Sequence, residues 1–199
     1  MTTVYGITGG VGMGKSTVAQ LLLERGIPVV DSDQLARDVV MAGAPALEEI
    51  RQTFGNGFIT AAGQLDRPKM AQHVFAHPQA RQKLEAIIHP RVRSLWLAQI
   101  KQWRATQVPR AAVVIPLLYE VQAESQMDHI ICVACTEATQ HARLHARGWT
   151  AEQIEQRIAA QMSVAEKMAR ADTVLWTEGD LEALRAQLLL LLDDSCRAV

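Results

Sequence analysis

Residues 9–16 read Gly-Gly-Val-Gly-Met-Gly-Lys-Ser and match the full pattern G-x-x-x-x-G-K-[ST] of a phosphate-binding loop. Glycines let the main chain curl around an anion and point N–H groups at it, and the following helix adds its dipole. Lys15 can reach the β- and γ-phosphates, and the Ser16 hydroxyl can ligate Mg²⁺. The residues expected to bind a nucleoside triphosphate are Gly10, Val11, Gly12, Met13, Gly14, Lys15, Ser16 and Thr17.

A pair of carboxylates, Asp31 and Asp33, follows the apolar run at residues 27–30. Ligands of an open parallel sheet bind beyond the carboxyl ends of its strands, so we expect this pair to share a crevice with the phosphate loop. Asp31 could help to hold Mg²⁺, and Asp33 could accept the proton of an attacking hydroxyl. The alternative is that Ser32 or Asp33 only caps a helix over residues 34–41.

Strand and helix patterns alternate along the chain, which predicts an α/β fold with a parallel sheet and helices on both faces. A helix is expected from residue 16 to 25, with Val18, Leu21 and Leu22 buried, and a last helix at about 180–192 packed on the sheet. The predicted strands cover residues 4–8, 27–30, 110–115, 129–135 and 172–176.

Two long helical stretches interrupt this alternation. Residues 34–109 are too many for a simple crossover and predict a helical subdomain. Residues 137–170 also indicate helices, with Thr150 and Gln153 forming a capping box after an interruption at 148–150. The breaks expected in the first stretch are Gly43-Ala44-Pro45, Gly55-Asn56-Gly57 and His89-Pro90.

Composition narrows the class of protein. The 199 residues carry a net charge of −1, which argues against a nucleic-acid-binding surface. The leucines at 188–192 are too few to cross a bilayer, no signal peptide is visible, and three cysteines fit a reducing compartment better than a disulfide framework. We therefore expect a cytoplasmic protein, a monomer or weak homo-oligomer, that binds neither nucleic acid nor membrane.

Six segments follow one another along the chain: 6–17, 31–37, His89-Pro90-Arg91-Val92, Pro116-Leu117-Leu118-Tyr119-Glu120, 157–161 and Ala171-Asp172. In this order they resemble the dephospho-coenzyme A kinases, which belong to the P-loop kinases. The resemblance spans nearly the whole chain and implies ATP- and Mg²⁺-dependent phosphorylation of the ribose 3′-hydroxyl of dephospho-CoA, giving CoA and ADP. It also implies three parts: a nucleotide-binding core at 1–33, 110–136 and 171–199, a helical substrate-binding insertion at 34–109 and a helical lid at 137–170.

The same resemblance assigns roles in the acceptor site. Asp33 is implied as the catalytic base and Arg37 as a substrate or phosphate contact. The residues implied to bind or shape the acceptor site are Asp31, Arg37, His89, Pro90, Pro116, Leu117, Glu120, Arg157 and Gln161. For Pro90 the alternative is the first turn of a helix, and for Glu120 a solvated residue in a turn.

The predicted lid carries basic residues at helical spacing. Arg143 and Arg147 lie four residues apart, and so do Arg157 and Gln161, which predicts one helix face for each pair. An inward guanidinium would neutralise charge that develops during phosphoryl transfer, and lid closure would exclude water. A solvated helix face would have the same sequence.

One position departs from the family. Thr177 stands where these kinases usually have an asparagine before a glycine. A hydroxyl is shorter than an amide and lacks its paired donor and acceptor, so the adenine contact implied there is in question. Our hypothesis is that backbone groups or Trp176 compensate.

Other motifs have structural interpretations. Cys132 and Cys135 have redox-motif spacing but lie on a predicted strand, which favours buried core thiols. His141 and His145 lack a third metal ligand, and Trp96 and Trp103 are expected to pack in a core. Two functional alternatives remain, namely another small-molecule kinase such as a nucleoside monophosphate or shikimate kinase, and a nucleotide-dependent switch.

Overall fold

The structure, a computed structural model, describes residues 1–193. The third cysteine, Cys196, and the end of the predicted core lie outside the described residues. The described chain forms two compact units: residues 1–29 with the chain from Trp103 onward, here called the core unit, and residues 30–102, the helical unit.

A five-stranded sheet is present within residues 1–193, in the order β2-β3-β1-β4-β5. The β1–β3, β1–β4 and β4–β5 pairs are parallel, as the alternating pattern predicts. Strand β1 is central, so the loop that follows it leaves from the middle of the sheet. The strands are β1 Thr3–Thr8, β2 Val29–Asp31, β3 Arg110–Val114, β4 His129–Ala134 and β5 Thr173–Trp176.

Nine α-helices and two short 3-10 segments accompany the strands in the described part of the chain. The helices of the first half are α1 Lys15–Glu24, α2 Ser32–Asp38, α3 Pro45–Phe54, α4 Arg67–Ala76 and α5 Pro78–Ala105. Those of the second half are α6 Glu137–Ala146, α7 Ala151–Ala159, α8 Val164–Arg170 and α9 Leu181–Leu192. The 3-10 segments are Asn56–Phe58 and Glu124–Gln126.

The sheet of the core unit is covered by the helices that the periodicity predicted. Val18, Leu21 and Leu22 of α1 are buried against β-strand residues, and α9 contributes Leu184 and Leu188 to the same cluster. Trp96 and Trp103 are 3% and 6% exposed. The prediction that both pack in a core is therefore confirmed.

One sequence-based expectation about these helices is wrong. The break expected at His89-Pro90 is absent, because both residues lie inside the long helix α5, and Pro90 therefore does not occupy the first turn of a helix. The missing N–H of a proline removes one helical hydrogen bond, but the flanking turns keep the helix continuous. The second stretch is helical and interrupted as expected, and a third helix, α8, begins in it with a capping box of Ser163 and Glu166.

The capping box predicted at Thr150 and Gln153 is present at the start of α7. Cys132 and Cys135 are buried and unbridged, as predicted, and burial raises the pKa of the Cys132 thiol to about 11. Within residues 1–193, no helix is both long and apolar enough to cross a bilayer.

Candidate active site

The phosphate loop connects β1 to α1 and depends on glycine at particular positions. Gly9 has φ of +138°, and a Cβ atom there would lie 2.1 Å from the carbonyl oxygen of Val133. Gly14, with φ of 91°, is the N-cap of α1. The chain can make this turn only because these positions lack a side chain.

Side chains hold the loop by its main-chain groups. Lys15 Nζ lies 2.8 Å from the carbonyl oxygens of both Gly9 and Gly10. The buried Gln140 donates to the Val11 carbonyl at 2.7 Å, and Gln161 accepts from the Val11 N–H at 3.3 Å. Gln140 was not recognised from the sequence. Gln161, implied as an acceptor contact, bonds to the phosphate loop instead.

A cavity of about 210 Å³ opens beside the loop, and we call it the Thr177 cavity. Its walls come from the start of α1, from Arg143 and Arg147, and from the connection between β5 and α9. Trp176 is not among the residues that line it, so the structure gives no support to compensation by Trp176. The phosphate-loop residues that line it are Gly12, Gly14, Ser16 and Thr17.

Thr177 joins three segments inside this cavity. Its residue is 5% exposed, and its hydroxyl donates to the Met13 carbonyl at 3.0 Å. Arg143 donates to the Thr177 hydroxyl at 2.9 Å and to the Thr177 carbonyl at 2.6 Å. The guanidinium is thus fixed in orientation by two bonds to one residue.

The neighbouring Glu178 fixes the first turn of α6. Its carboxylate accepts from the Thr136 N–H at 2.6 Å and from the Thr139 hydroxyl at 2.9 Å. These hydrogen bonds, with those of Thr136 the largest cause, hold the pKa of Glu178 below its ordinary value. Together with Thr177, Glu178 sets where α6 and therefore Arg143 stand.

The prediction that each of two residue pairs in the lid shares one helix face is correct only in part. Arg147 lies one residue beyond α6 as its C-cap, yet it lines the Thr177 cavity with Arg143. Arg157 and Gln161 do not share a helix face, because α7 ends at Ala159. The Arg157 guanidinium lies 4.4 Å from the centre of the Trp149 ring, a cation–π contact.

The segment after β3 is held by a buried lysine that sequence reasoning did not single out. Lys167 is fully buried, and its ammonium donates to the Pro116 carbonyl at 2.7 Å and to Glu120 at 2.9 Å. Thr8, the last residue of β1, donates to the same Pro116 carbonyl at 3.0 Å. Glu120 also accepts from the Met162 N–H at 2.8 Å, so it is a structural partner of the predicted lid. Leu117 of the same segment is half-buried.

In the helical unit, the aspartate pair lies at the start of α2. Asp31 is the N-cap, because its carboxylate accepts from the Asp33 N–H at 2.8 Å. The expectation that Ser32 or Asp33 caps a helix at 34–41 is wrong, since α2 begins at Ser32 and ends at Asp38. Asp33 therefore stands in the first turn with an exposed side chain that the cap does not use.

Asp33 borders a cleft of about 360 Å³, which we call the Asp33 cleft. Arg37 and Arg67 supply positive charge to it, and Arg67 also donates to the Arg37 carbonyl at 2.9 Å. Arg67 was not recognised from the sequence. His89 and Pro90 are exposed on α5 and are not among the lining residues. The apolar wall is formed by Ala36, Val40, Leu65, Met70, Ala71, Val74, Leu84 and Ile88.

The donor set for a metal is sparse. Within residues 1–193, no cluster of three or more His, Cys, Asp or Glu side chains could hold an ion by itself. Ser16 lines the Thr177 cavity, and the Asp31 cap uses only one carboxylate oxygen. A hydroxyl and a carboxylate are each oxygen donors of the kind that Mg²⁺ takes, one or two at a time, together with substrate phosphates.

The parallel sheet and the phosphate loop between its central strand and α1 define a P-loop kinase. A Thermus thermophilus protein, TT1252, is similar in structure, with a TM-score of 0.80 and 36% identity over 96% of each chain. The dephospho-CoA kinase of Campylobacter jejuni shares the fold, with a TM-score of 0.74 and 21% identity over 99% of this chain and 98% of that one.

The dephospho-CoA kinase family model matches residues 3–183. The dephospho-CoA kinase of Thermosynechococcus vestitus is 46% identical over 92% of this chain and 89% of its own. That of Bdellovibrio bacteriovorus is 42% identical over 90% of this chain and 89% of its own. The chain therefore belongs to the dephospho-CoA kinase family, which catalyses the final step of coenzyme A biosynthesis, and the resemblance in its sequence is confirmed.

Proposed function

We propose that this chain transfers the γ-phosphoryl group of ATP to the ribose 3′-hydroxyl of dephospho-CoA, and that the residues named above divide the work. The observation that carries the proposal is a complete phosphate loop in a chain matched to the family over residues 3–183. The buried thiols support a cytoplasmic location, where they stay reduced.

The loop from Gly10 to Gly14 and the side chain of Lys15 bind the triphosphate. The ammonium of Lys15 already faces two loop carbonyls, and phosphate oxygens would accept stronger, charge-assisted hydrogen bonds from it. Arg143 and Arg147 border the same cavity and would offset negative charge that develops during transfer.

Asp33 is the proposed general base. Its carboxylate is exposed on the rim of the Asp33 cleft, and the helix cap is supplied by Asp31 instead. Phosphoryl transfer has a loose transition state, so Asp33 contributes by aligning the hydroxyl as well as by accepting its proton. Arg37 would bind the diphosphate of the acceptor from the same cleft.

Ser16 and Asp31 are the proposed holders of Mg²⁺. When bound, the ion would neutralise charge on the β- and γ-phosphates. The residues 137–170 form the proposed lid over the core at 1–33, 110–136 and 171–199, and 34–109 the acceptor domain. Lid closure would exclude water that could otherwise hydrolyse ATP.

A substrate panel tests the activity. The protein is incubated with Mg-ATP and dephospho-CoA, AMP or shikimate, and ADP and the phosphorylated product are measured. Of the three acceptors, only dephospho-CoA is expected to give rapid ADP formation. A preference for AMP or shikimate would overturn the proposal.

Two variants test the division of roles. Asp33→Asn should lower kcat for dephospho-CoA about 100-fold or more while ATP binding stays unchanged. Lys15→Ala should lower turnover by a similar factor through lost γ-phosphate stabilisation. Near-normal turnover in Asp33→Asn would remove Asp33 from the role of base.

A further inference from the structure

The buried side chain of Gln140, on α6, holds one peptide unit of the phosphate loop. Its amide donates to the Val11 carbonyl at 2.7 Å, and the residue is only 4% exposed. A Cβ atom at Gly10 would lie 3.2 Å from the same amide nitrogen, so the amide fits closely against the loop. A residue 129 positions further along the chain thus bonds directly to the main chain of the motif.

The carbonyl of Val11 and the N–H of Gly12 belong to one planar peptide unit. In a trans peptide these two groups point in opposite directions, so a bond that fixes the carbonyl also fixes the direction of the N–H. Gln140 therefore keeps the Gly12 N–H turned away from its own amide. In the described part of the chain, this N–H donates to no acceptor. An N–H of this kind in a phosphate loop is available to bind an anion.

The preceding peptide unit, between Gly10 and Val11, is paired with the protein at both ends. Lys15 donates to its carbonyl at 2.8 Å. Gln161 accepts from its N–H at 3.3 Å. The Val11 N–H is therefore already used by a side chain, whereas the Gly12 N–H of the next unit can serve the phosphates if it keeps its direction.

Glycine makes the direction of this second unit easy to lose. Rotating the unit between Val11 and Gly12 by half a turn reverses its N–H and takes φ of Gly12 from +77° to a negative value. Glycine adopts both signs of φ about equally readily, so Gly12 itself does not oppose the rotation. The bond from Gln140 opposes it, and the hydrogen bonds of Glu178 to the first turn of α6 hold the helix that carries Gln140.

We propose that Gln140 is a positioning residue for phosphoryl transfer, which keeps the Gly12 N–H directed at the phosphates of the donor. The proposal rests on the proposed function, because it concerns the loop that binds the donor of that reaction. Without the Gln140 amide, the peptide unit would populate both orientations. The loop would then lose one hydrogen bond to a phosphate oxygen in a fraction of the molecules.

Binding of inorganic tripolyphosphate tests the loop without a base or an acceptor. Calorimetric titration compares the parent with Gln140→Met, which keeps the length of the side chain but has no N–H donor. The affinity of the variant should fall about tenfold or more, because a hydrogen bond to a charged group contributes that much. Parental affinity in folded Gln140→Met would overturn the proposal.

Gln156→Met is the matched control. It makes the same substitution on α7, where the Gln156 amide bonds to Glu152 one turn away at 3.0 Å. The affinity for tripolyphosphate should stay at the parental value. A loss equal to that of Gln140→Met would show that the effect does not come from the bond to Val11, and would overturn the proposal.

Steady-state kinetics separate a positioning role from a general loosening of the protein. In Gln140→Met, the KM for ATP should rise about tenfold, since the affected loop binds the donor. The KM for dephospho-CoA should not change. Equal rises in both KM values would mean that Gln140 has a general structural role, and would overturn the proposal.

The parent protein supplies a test that does not depend on the folding of a variant. In an NMR titration with tripolyphosphate, the amide proton signal of Gly12 should move downfield as the N–H bonds to the anion. A Gly12 signal that stays in place while tripolyphosphate binds would overturn the proposal.

The same measurements separate this inference from the proposed function. Tripolyphosphate binding that depends on Gln140, in a protein that transfers nothing to dephospho-CoA, would sink the function while supporting the inference. Transfer to dephospho-CoA together with unchanged tripolyphosphate affinity in Gln140→Met would do the opposite.

Discussion

The phosphate loop of the core unit and the Asp33 cleft of the helical unit are built from different groups. The loop is defined by main-chain geometry, since Lys15, Gln140 and Gln161 all bond to its carbonyl or N–H groups. The cleft is defined by side chains that project from helices, with Asp33 and Arg37 at its charged part. A site made of main chain tolerates few substitutions, whereas a site made of side chains can be retuned by one.

The largest expected effect is at Gly9. In Gly9→Ala, the new Cβ would meet the Val133 carbonyl at 2.1 Å, so the loop must move. A shift of about 1 Å at a phosphate-binding group costs on the order of 100-fold in turnover, measured as kcat/KM for ATP.

Gly26→Ala is the matched control for Gly9. Its φ is also positive, at +73°, but no atom lies within 4 Å of the new Cβ. It should cost only about 1–2 kcal/mol of stability, from backbone strain, and leave kcat/KM for ATP unchanged. Parental kinetics in Gly9→Ala would show that the loop is less constrained than its geometry indicates.

The second prediction concerns the ion pair between the buried Lys167 and the partly exposed Glu120. Glu120→Gln leaves the fully buried Lys167 ammonium without its anion and should lower the free energy of unfolding by about 3–5 kcal/mol. Lys167→Met should cost less, because Glu120 keeps the Met162 N–H and the Pro116 carbonyl keeps the Thr8 hydroxyl.

Urea unfolding of the two variants measures this asymmetry. Equal losses would mean that the buried charge carries no particular penalty. A larger loss in Lys167→Met would mean that packing of the lysine stem, rather than its charge, stabilises the segment after β3.

The contrast between the two regions also explains what the sequence could predict. The phosphate loop is a contiguous motif whose residue types follow from the anion it binds, so its position after a strand was predictable. The capping box at Thr150 was predictable for the same reason, because its signal is local. The hydrogen bonds between Arg143 and Thr177, in contrast, join positions 34 residues apart and have no local signal. Likewise, nothing in the sequence around Lys167 distinguishes a buried ammonium from a solvated one.

Pro90 shows a limit of local signals. A proline usually ends or kinks a helix, so a break at His89-Pro90 was a reasonable expectation. In α5 the buried side chains on both sides of it, such as Ile87 and Val92, keep the helix continuous. Tertiary packing of this kind overrides local propensity and is not visible in a short window of sequence.

The third prediction tests whether the Asp33 cleft binds the acceptor. Ala36→Leu places a larger side chain in the cleft, and overpacking of about 1–3 kcal/mol should raise KM for dephospho-CoA about tenfold. KM for ATP should not change. Ala98→Leu makes the same substitution at an exposed position of α5 and should leave both constants as they are. If Ala36→Leu keeps the parental KM for dephospho-CoA, the acceptor does not bind in the Asp33 cleft.

The smallest expected effect is at Tyr119, in the segment after β3. Its side chain is buried, its hydroxyl has no hydrogen-bond partner among the described residues, and Arg170 lies 4.2 Å from the ring centre. Tyr119→Phe keeps the ring and removes the unsatisfied group, so stability should rise by about 1 kcal/mol in urea unfolding. A loss of stability would show that the hydroxyl is bonded in solution.

Tyr119 also predicts a pH dependence. Desolvation by burial is the largest cause that raises the pKa of its phenol from 10.0 to about 12. Unfolded chains then release this proton near pH 10 while folded chains retain it, so the contribution of Tyr119 to stability is complete below pH 10 and is lost as the pH rises towards 12. The Tyr119→Phe variant lacks this loss, and its advantage over the parent should grow across that interval. Curves that stay parallel from pH 8 to above pH 10 would mean that the phenol is accessible to water in the folded protein.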